Sequence, residues 1–418
     1  MRRLFVSLMV ILSTDGVLWA AGSKKTESEN KTVLQTSNTI ALQDADVESK
    51  TGRYDWGVSV MKDGNLYRMW WVRLGGTNKK RFPYQTNLPD GAPFDFTYPD
   101  RGDRIYYAES CDGRTFNISG DDYAGSIDDF GPDATGPLMV LKPAESDQER
   151  NHVGCPTVVK VDGTFYMYYE APCEFVCRKN EENKVQVLRE YHNQVFLATS
   201  SDGKQWHKYP SNENPQPIIA APEFNKKTET QRYGLGQPSV FYERNRFVMH
   251  YVDSCTGPGD FIVRLESKDP YFKNPRVFRG TLRPNNKTRP IPPGSVARFA
   301  QTDVKYLGRY FYLLRPAYGT GNVGLLISRT GRFDADANAV LPKNVFPQIA
   351  LQDTRGNDYR ERLFPDFLTT PTGEILEQEG HITVFYGSAR GFKEHADTWN
   401  LFRADVSLAD IRKTIRRR

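Results

Sequence analysis

The feature that most constrains the fold is a hairpin unit that occurs in five copies along the chain. Its clearest copy, residues 155–169, is an apolar segment, an Asp-Gly turn and a segment of alternating aromatic residues, the strongest short-range signal for a β-hairpin. Further copies lie at residues 55–71, 237–251, 303–314 and 364–386. An internal repeat of this kind predicts an array of equivalent small sheets.

A third strand follows each hairpin, so the repeating unit is an antiparallel sheet. Residues 105–116 and 196–206 show it best, since both contain Ala-x-Ser-x-Asp-Gly and end on an aromatic residue. Such a sheet cannot bury both faces alone, whereas sheets stacked around an axis can. We therefore predict an all-β fold, a five-bladed β-propeller, and leave a β-sandwich as the alternative. The predicted blades are at about residues 55–116, 153–206, 237–272, 302–333 and 364–411.

The first 22 residues have the composition of a signal peptide. Arg2 and Arg3 precede an apolar run from Leu4 to Leu12, and small residues follow at Ala20 and Ala21. The run is shorter than the roughly 20 residues that a membrane-spanning helix needs. We expect a secreted or periplasmic protein with no stable membrane span.

The rest of the chain divides into three parts: a polar linker at residues 23–50, the propeller at 51–411 and a basic tail at 412–418. The stretch Thr39–Leu42 of the linker could supply a strand that closes the ring. The formal charge of +5 arises at the two ends of the chain, and the body is close to neutral, so we expect no nucleic-acid partner.

Propeller geometry predicts where a site lies. Residues just before each first strand and just after each second strand converge on one central funnel. The acidic candidates are Asp55, Asp303 and Asp366 at strand starts, and Glu170 and Asp253 at strand ends. Trp56, Arg73 and Arg315 lie at neighbouring positions. Carboxylates with aromatic faces and arginines suit a sugar, and two carboxyl groups that flank a glycosidic bond can act as acid and base.

The repeat resembles a known superfamily. The pattern of residues 156–169, Pro-x-Val followed by Asp-Gly and Tyr-Met-Tyr-Tyr, and the Ala-Thr-Ser-Ser-Asp-Gly-Lys-Gln-Trp of residues 198–206 resemble the five-bladed propeller glycoside hydrolases. These include family 43 and, more distantly, invertase-like and levansucrase-like enzymes. The resemblance covers residues 52–411 and implies a catalytic base at Asp55. It also implies a second-blade Asp and a third-blade Glu, where this chain has Cys155 and Gln237.

Three hypotheses about function stay open. In the first, the protein is a glycoside hydrolase of plant or microbial oligosaccharides or polysaccharides, with Asp55 as base and Glu170 or Asp253 as acid. The expected substrate-binding residues are Trp56, Arg73, Gln237, Asp303, Arg315 and Asp366. In the second it binds glycans without catalysis, and in the third it is a protein-interaction scaffold. No cofactor is required in any of them, although the many acids could hold a structural calcium ion.

Overall fold

A computed structural model shows that the chain is nearly all β. It describes residues 38–46, 55–74, 103–116, 138–144, 146, 148–149, 152–179, 185–222, 234–255, 261–279, 301–317, 322–333, 345–353, 359–390 and 399–416. This part contains 21 strands and one helix. The first strand is β1 (Asn38–Asp46). The all-β prediction is confirmed.

The other strands form antiparallel groups in chain order. Group 1 contains β2 (Asp55–Asp63), β3 (Leu66–Leu74), β4 (Asp103–Ser110) and β5 (Leu138–Leu141). Group 2 contains β6 (Gly154–Val161), β7 (Thr164–Lys179), β8 (Val185–Ser200) and β9 (His207–Lys208). Group 3 contains β10 (Leu235–Glu243), β11 (Arg246–Asp253), β12 (Phe261–Ser267) and β13 (Arg276–Arg279).

The last two groups share β1. Group 4 contains β14 (Asp303–Leu307), β15 (Tyr310–Ala317), β16 (Asn322–Ser328) and β17 (Val345–Asp353). Group 5 contains β18 (Tyr359–Thr369), the short β19 (Glu377–Gln378), β20 (His381–Arg390) and β21 (Trp399–Ser407). The first half of β1 pairs in parallel with β17, and its second half pairs antiparallel with β21. This strand lies in the segment where a closing strand was predicted; residues 1–37 lie outside the described part.

Helix α1 (Leu408–Arg416) follows β21 directly. Leu408 and Ile411 are buried on one side of it, against groups 4 and 5. The predicted boundary between propeller and basic tail, at residue 411, falls inside this helix. No helix within the described ranges is both long enough and apolar enough to cross a membrane.

The hairpin turns follow from local sequence. Asp162 and Gly163 connect β6 and β7 with φ values of 49° and 81°. Arg244 and Asn245 connect β10 and β11 with φ values of 52° and 58°. Two successive positive φ angles are typical of the type I′ turn, whose twist matches that of the flanking strands. The Asp-Gly pattern therefore predicted the β6–β7 hairpin for the right physical reason.

Apolar side chains pack mainly between the groups. Clusters of buried apolar residues lie between groups 1 and 2, 2 and 3, 3 and 4, 4 and 5, and 5 and 1. Trp70 and Phe165 meet between groups 1 and 2, with ring centroids 6.1 Å apart. Phe116 and Phe385 meet between groups 1 and 5 at 6.4 Å. Each sheet thus buries both faces against its neighbours, which a single sheet could not do.

A repeated hydrogen bond connects the first strands of successive groups. In each case a side-chain oxygen of one strand accepts the backbone N–H of the next. The pairs are Val158 N to Ser59 Oγ (3.1 Å), Val240 N to Thr157 Oγ1 (3.3 Å), Val304 N to Ser239 Oγ (2.9 Å) and Phe367 N to Asp303 Oδ2 (3.1 Å). We call these four acceptors the latch residues. Groups 5 and 1 are joined differently, by two parallel pairs between β18 and β2 and by Thr369 Oγ1 donating to Val60 O at 3.1 Å.

A left-handed backbone residue stands two positions before each latch residue, and before Asp366 in group 5. The φ values are 54° at Gly57, 46° at Cys155, 51° at Gln237, 55° at Gln301 and 49° at Phe364. A non-glycine residue in this region costs roughly 1–2 kcal/mol. The structure keeps the same backbone shape in all five groups although only group 1 uses glycine, so the shape is part of the repeat.

The loop from Thr370 to Ile375 crosses the turn ends of three other groups. Lys160 N of group 2 donates to Pro371 O, and Tyr242 N of group 3 donates to Thr372 O, both at 2.7 Å. Ile375 N donates to Tyr306 O of group 4 at 2.8 Å. This loop therefore ties the groups together at the end opposite the starts of their first strands.

We expect the substitution Ser239→Ala to destabilise the fold by about 1–3 kcal/mol, because it leaves the buried Val304 N–H and one bond of Asp303 unsatisfied. Urea unfolding measures this. The exposed Ser201 is the matched control, and Ser201→Ala should change the free energy of unfolding by about 0.5 kcal/mol or less. Equal effects of the two substitutions would contradict the latch.

Candidate functional site

Asp55 begins β2 and is held in a buried ion pair. Arg73 Nε donates to Asp55 Oδ1 at 2.6 Å, and a second guanidinium nitrogen donates to Oδ2 at 2.9 Å. Trp71 Nε1 also donates to Oδ1, at 3.0 Å. Burial alone would lower the pKa of Arg73, but the charge of Asp55 more than offsets this and raises it. The antiparallel register that pairs Asp55 with Arg73 builds the contact, and it brings two predicted site residues together.

Glu170, Gln237 and Gln301 form a series across groups 2, 3 and 4. Gln237 N donates to Glu170 Oε2 at 2.5 Å, and Gln301 N donates to Gln237 Oε1. All three side chains are at most 4% exposed. The left-handed backbone at Gln237 and Gln301 turns these N–H groups away from their own hairpin ladders. Two further predicted residues, Glu170 and Gln237, are therefore in direct contact.

His152 and Asp103 form a buried pair next to Trp56. His152 Nδ1 lies 2.9 Å from Asp103 Oδ2. The imidazole stacks on Trp56 at 6.0 Å between ring centroids, and Phe364 contacts the same indole at 4.3 Å. A Cβ at Gly154 would lie 2.7 Å from His152 Nε2, so the close approach requires glycine. Trp56, predicted as a sugar platform, is 2% exposed and packs against these two rings.

Cys155 lies between the two clusters just described. Burial raises the pKa of its thiol well above the ordinary value, and the nearby charges of Glu170 and Asp103 raise it further. The thiol is therefore protonated at neutral pH and is no nucleophile of the usual kind. Its environment shows that carboxylates from group 1 and group 2 meet at this point.

Asp303 and Asp366 form a second polar cluster with Lys305. Lys305 Nζ donates to Asp303 Oδ1 at 2.6 Å and to Ser239 Oγ at 2.9 Å. The carboxyl groups of Asp303 and Asp366 are close enough that each shifts the pKa of the other. Burial, together with the negative charge of Asp303, raises the pKa of Asp366 well above its ordinary value. Burial opposes ionisation of Asp303 as well, but Lys305 and its hydrogen bonds hold its pKa below the ordinary value. One proton is thus shared, as in other adjacent carboxyl pairs.

The remaining predicted residues are also buried. Asp253 ends β11, and its Oδ1 accepts the Cys255 N–H at 2.8 Å. Arg315 lies in β15, opposite Gly324 of β16. Within the described ranges, no three His, Cys, Asp or Glu side chains cluster closely enough to hold a metal ion. The calcium ion stays a prediction.

Sequence reasoning missed three residues of this region: Asp103, His152 and Gln301. Gln301 could have been found by extending the repeat, since it precedes Asp303 by two positions just as Gln237 precedes Ser239. His152 and Asp103 had no such signal. Asp103 begins β4 and His152 precedes β6, and only packing brings them together.

Comparison with solved structures identifies the fold. The family 117 glycoside hydrolase Zg3597 of the marine bacterium Zobellia galactanivorans matches 90% of this chain and 92% of its own, with 13% identity and a TM-score of 0.53. The α-L-arabinofuranosidase PaAbf62A of Podospora anserina matches 88% and 96%, with 12% identity and a TM-score of 0.48. The family 43 endo-arabinanase of Bacillus licheniformis matches 86% and 96%, with 13% identity and a TM-score of 0.47.

At these identities the first similarity shows a shared fold. The chain shares the fold of this family 117 glycoside hydrolase, in agreement with the resemblance that its sequence shows. No model of a protein family matches the chain, and no curated protein is detectably similar to it in sequence.

The Asp303–Asp366 pair predicts a pH dependence of stability. A pKa raised by folding gives a contribution that is full below the ordinary carboxyl value of about 4 and is lost as the pH rises toward the raised pKa. Asp366→Asn keeps a neutral partner for Asp303 that does not ionise. We therefore expect the wild type to lose up to about 1.4 kcal/mol per pH unit relative to the variant as the pH rises above about 5 toward the raised pKa of Asp366. Urea unfolding at several pH values measures the difference, and parallel curves would refute the shared proton.

Proposed function

We propose that groups 1 to 5 are the blades of a five-bladed propeller. Two observations support this: the apolar clusters connect each group to the next and group 5 back to group 1, and the latch bonds follow the same order. In such a ring the first strands surround the axis. The starts of β2, β6 and β10 would then face one common hollow.

We propose that the protein is a glycoside hydrolase that acts on an oligosaccharide or polysaccharide. The observation that carries this is that the charges of two buried carboxylates, Asp103 of group 1 and Glu170 of group 2, both act on the Cys155 thiol, with a third buried carboxylate, Asp55, at the start of β2, in a chain with a glycoside hydrolase fold. Paired carboxyl groups on either side of a glycosidic bond are what this hydrolysis needs.

Each carboxylate has a proposed role. Asp55 is the base, and its ion pair with Arg73 fixes its orientation. Glu170 is the acid, since the register places it opposite Gly154 and near the His152–Asp103 pair, which could pass a proton to it. Asp303 is paired with Lys305 and Ser239 and accepts the Phe367 N–H, so we assign Asp303 and its neighbour Asp366 a structural role.

A glycan-binding protein without catalysis is the second candidate. Two observations favour it: Cys155 and Gln237 stand where the resemblance implies an Asp and a Glu, and Gln237 is held by Gln301 N–H in a fixed position. An amide cannot protonate a leaving group. The hydrolase hypothesis therefore depends on Glu170 replacing the missing acid.

Aryl glycosides test the hydrolase hypothesis. We expect Asp55→Asn and Glu170→Gln each to lower kcat by about 10²–10⁴-fold, because each removes one proton-transfer group. The exposed Glu213 supplies the control, and Glu213→Gln should leave kcat unchanged. Thermal unfolding of each variant checks that the fall in kcat is not caused by a loss of folded protein.

Another outcome supports the glycan-binding candidate. This outcome is that the wild type binds a glycan but turns over none of the glycosides. The next variant is then the double substitution Cys155→Asp with Gln237→Glu, which restores the carboxyl groups that the resemblance implies. Turnover gained by that variant would mean that the natural chain has kept the sugar site and lost catalysis. Full activity in Asp55→Asn would refute Asp55 as the base.

We also propose that the protein is exported, to the periplasm or the medium. Support comes from the signal-like order of residues 1–22. Mass spectrometry of the protein from its natural host should find a mature N-terminus near Ser23. An N-terminus at Met1 would contradict export by this route.

A further inference from the structure

Gln301 has a buried side-chain amide without a hydrogen-bond partner among the residues that the structure describes. The residue is 1% exposed, and neither Nε2 nor Oε1 has a hydrogen-bond partner among the described residues. Its backbone N–H is engaged by Gln237 Oε1, so only the carboxamide is left over. Buried polar groups are normally paired, and an exception in a native structure needs an explanation.

The position of Gln301 makes the choice of residue informative. It occupies the left-handed position of group 4, which corresponds to Gly57, Cys155, Gln237 and Phe364. Glycine adopts this conformation without strain, and an L side chain does not. Nothing in the backbone geometry therefore demands glutamine. The amide oxygen of Gln237 accepts a backbone N–H, whereas the amide of Gln301 has no partner in the described part of the chain.

The neighbours of Gln301 belong to the proposed active site. It is the third member of the series that begins at Glu170 Oε2 and passes through Gln237. Asp303, two residues further on, is ionised and paired with Lys305, so that charge is already compensated. Gln301 thus adds a neutral group that is connected to the proposed acid through Gln237.

The chemistry of an amide identifies its ligand. A carboxamide presents a donor and an acceptor side by side. A cation would use only its oxygen and an anion only its nitrogen, whereas a hydroxyl group both donates and accepts. Sugar hydroxyl groups fit both halves of the amide.

We propose that Gln301 is a substrate-positioning residue whose carboxamide binds a hydroxyl group of the sugar, beside Glu170. This inference rests on the proposed function and deepens it, since it assigns the recognition of a neutral sugar hydroxyl to group 4. Residue 301 then determines which hydroxyl pattern the site accepts.

The variant Gln301→Met separates binding from stability, because methionine has nearly the same shape without the polar atoms. In the free protein we expect its Tm to rise by about 1–3 °C, since an unpaired buried amide is replaced by an apolar group. The matched control is Gln378, whose Nε2 donates to Tyr67 Oη at 2.8 Å. Gln378→Met should lower the Tm and leave sugar binding unchanged.

The functional readout uses the 4-nitrophenyl glycoside that the wild type turns over or binds best, together with its monodeoxy analogues. We expect Gln301→Met to raise KM or Kd about tenfold, with a smaller effect on kcat. One deoxy analogue should bind more weakly than the parent to the wild type and equally well to the variant. A merely structural role would not remove discrimination against one hydroxyl group.

The outcomes separate the two proposals. If the wild type binds a glycoside and Gln301→Met binds it and every deoxy analogue in the same way, the amide holds only an ordered water and this inference is wrong, while the proposed function stands. A fall in Tm for Gln301→Met would show that the amide is paired in the fold, and would also overturn it. If no glycoside or free sugar binds to the wild type, the proposed function fails first and this inference fails with it.

Discussion

The hydrogen bond from the backbone N–H of one first strand to the side chain of the preceding group is the interaction on which the rest of the structure depends. Ordinary sheet pairing uses backbone groups within a sheet and says nothing about how separate sheets meet. The latch residues, such as Thr157 and Ser239, fix the position of each first strand along its own direction relative to the neighbouring first strand. Apolar packing between sheets has no such register, because it is not directional.

The left-handed residue before each latch residue is a consequence of this arrangement. It bulges the first strand, as the register shift between Gly236 and Ser239 shows, and it frees backbone N–H groups for contacts between groups. Gln237 N therefore reaches Glu170 of the preceding group. The local strain at such residues stays because packing on both sides of each sheet over-determines the backbone. The structural repeat and the candidate site are therefore built from the same residues.

The buried polar groups avoid an uncompensated charge in different ways. Asp55 is compensated by Arg73, and Asp303 by Lys305, so both are paired charges in low-dielectric surroundings. Asp366 instead keeps a proton, because burial and the negative charge of Asp303 both raise its pKa. Gln301 is neutral, and its amide has no hydrogen-bond partner within the described ranges. The three carboxyl groups are thus compensated within the fold, whereas the amide is the group to which we assign recognition.

The sequence by itself determined the all-β class, the hairpins and their turns, because a period-two pattern and an Asp-Gly pair act over a few residues. It also brought Asp55, Glu170 and Gln237 into view, because they stand near the starts of first strands or the ends of second strands in the repeat. Only the tertiary structure decided which side chains neutralise one another. The pairs Asp103–His152 and Asp303–Asp366 join residues that are about 50 or more positions apart in the chain. Their contact depends on how whole sheets stack, and stacking is the sum of many weak apolar contacts that no short pattern records.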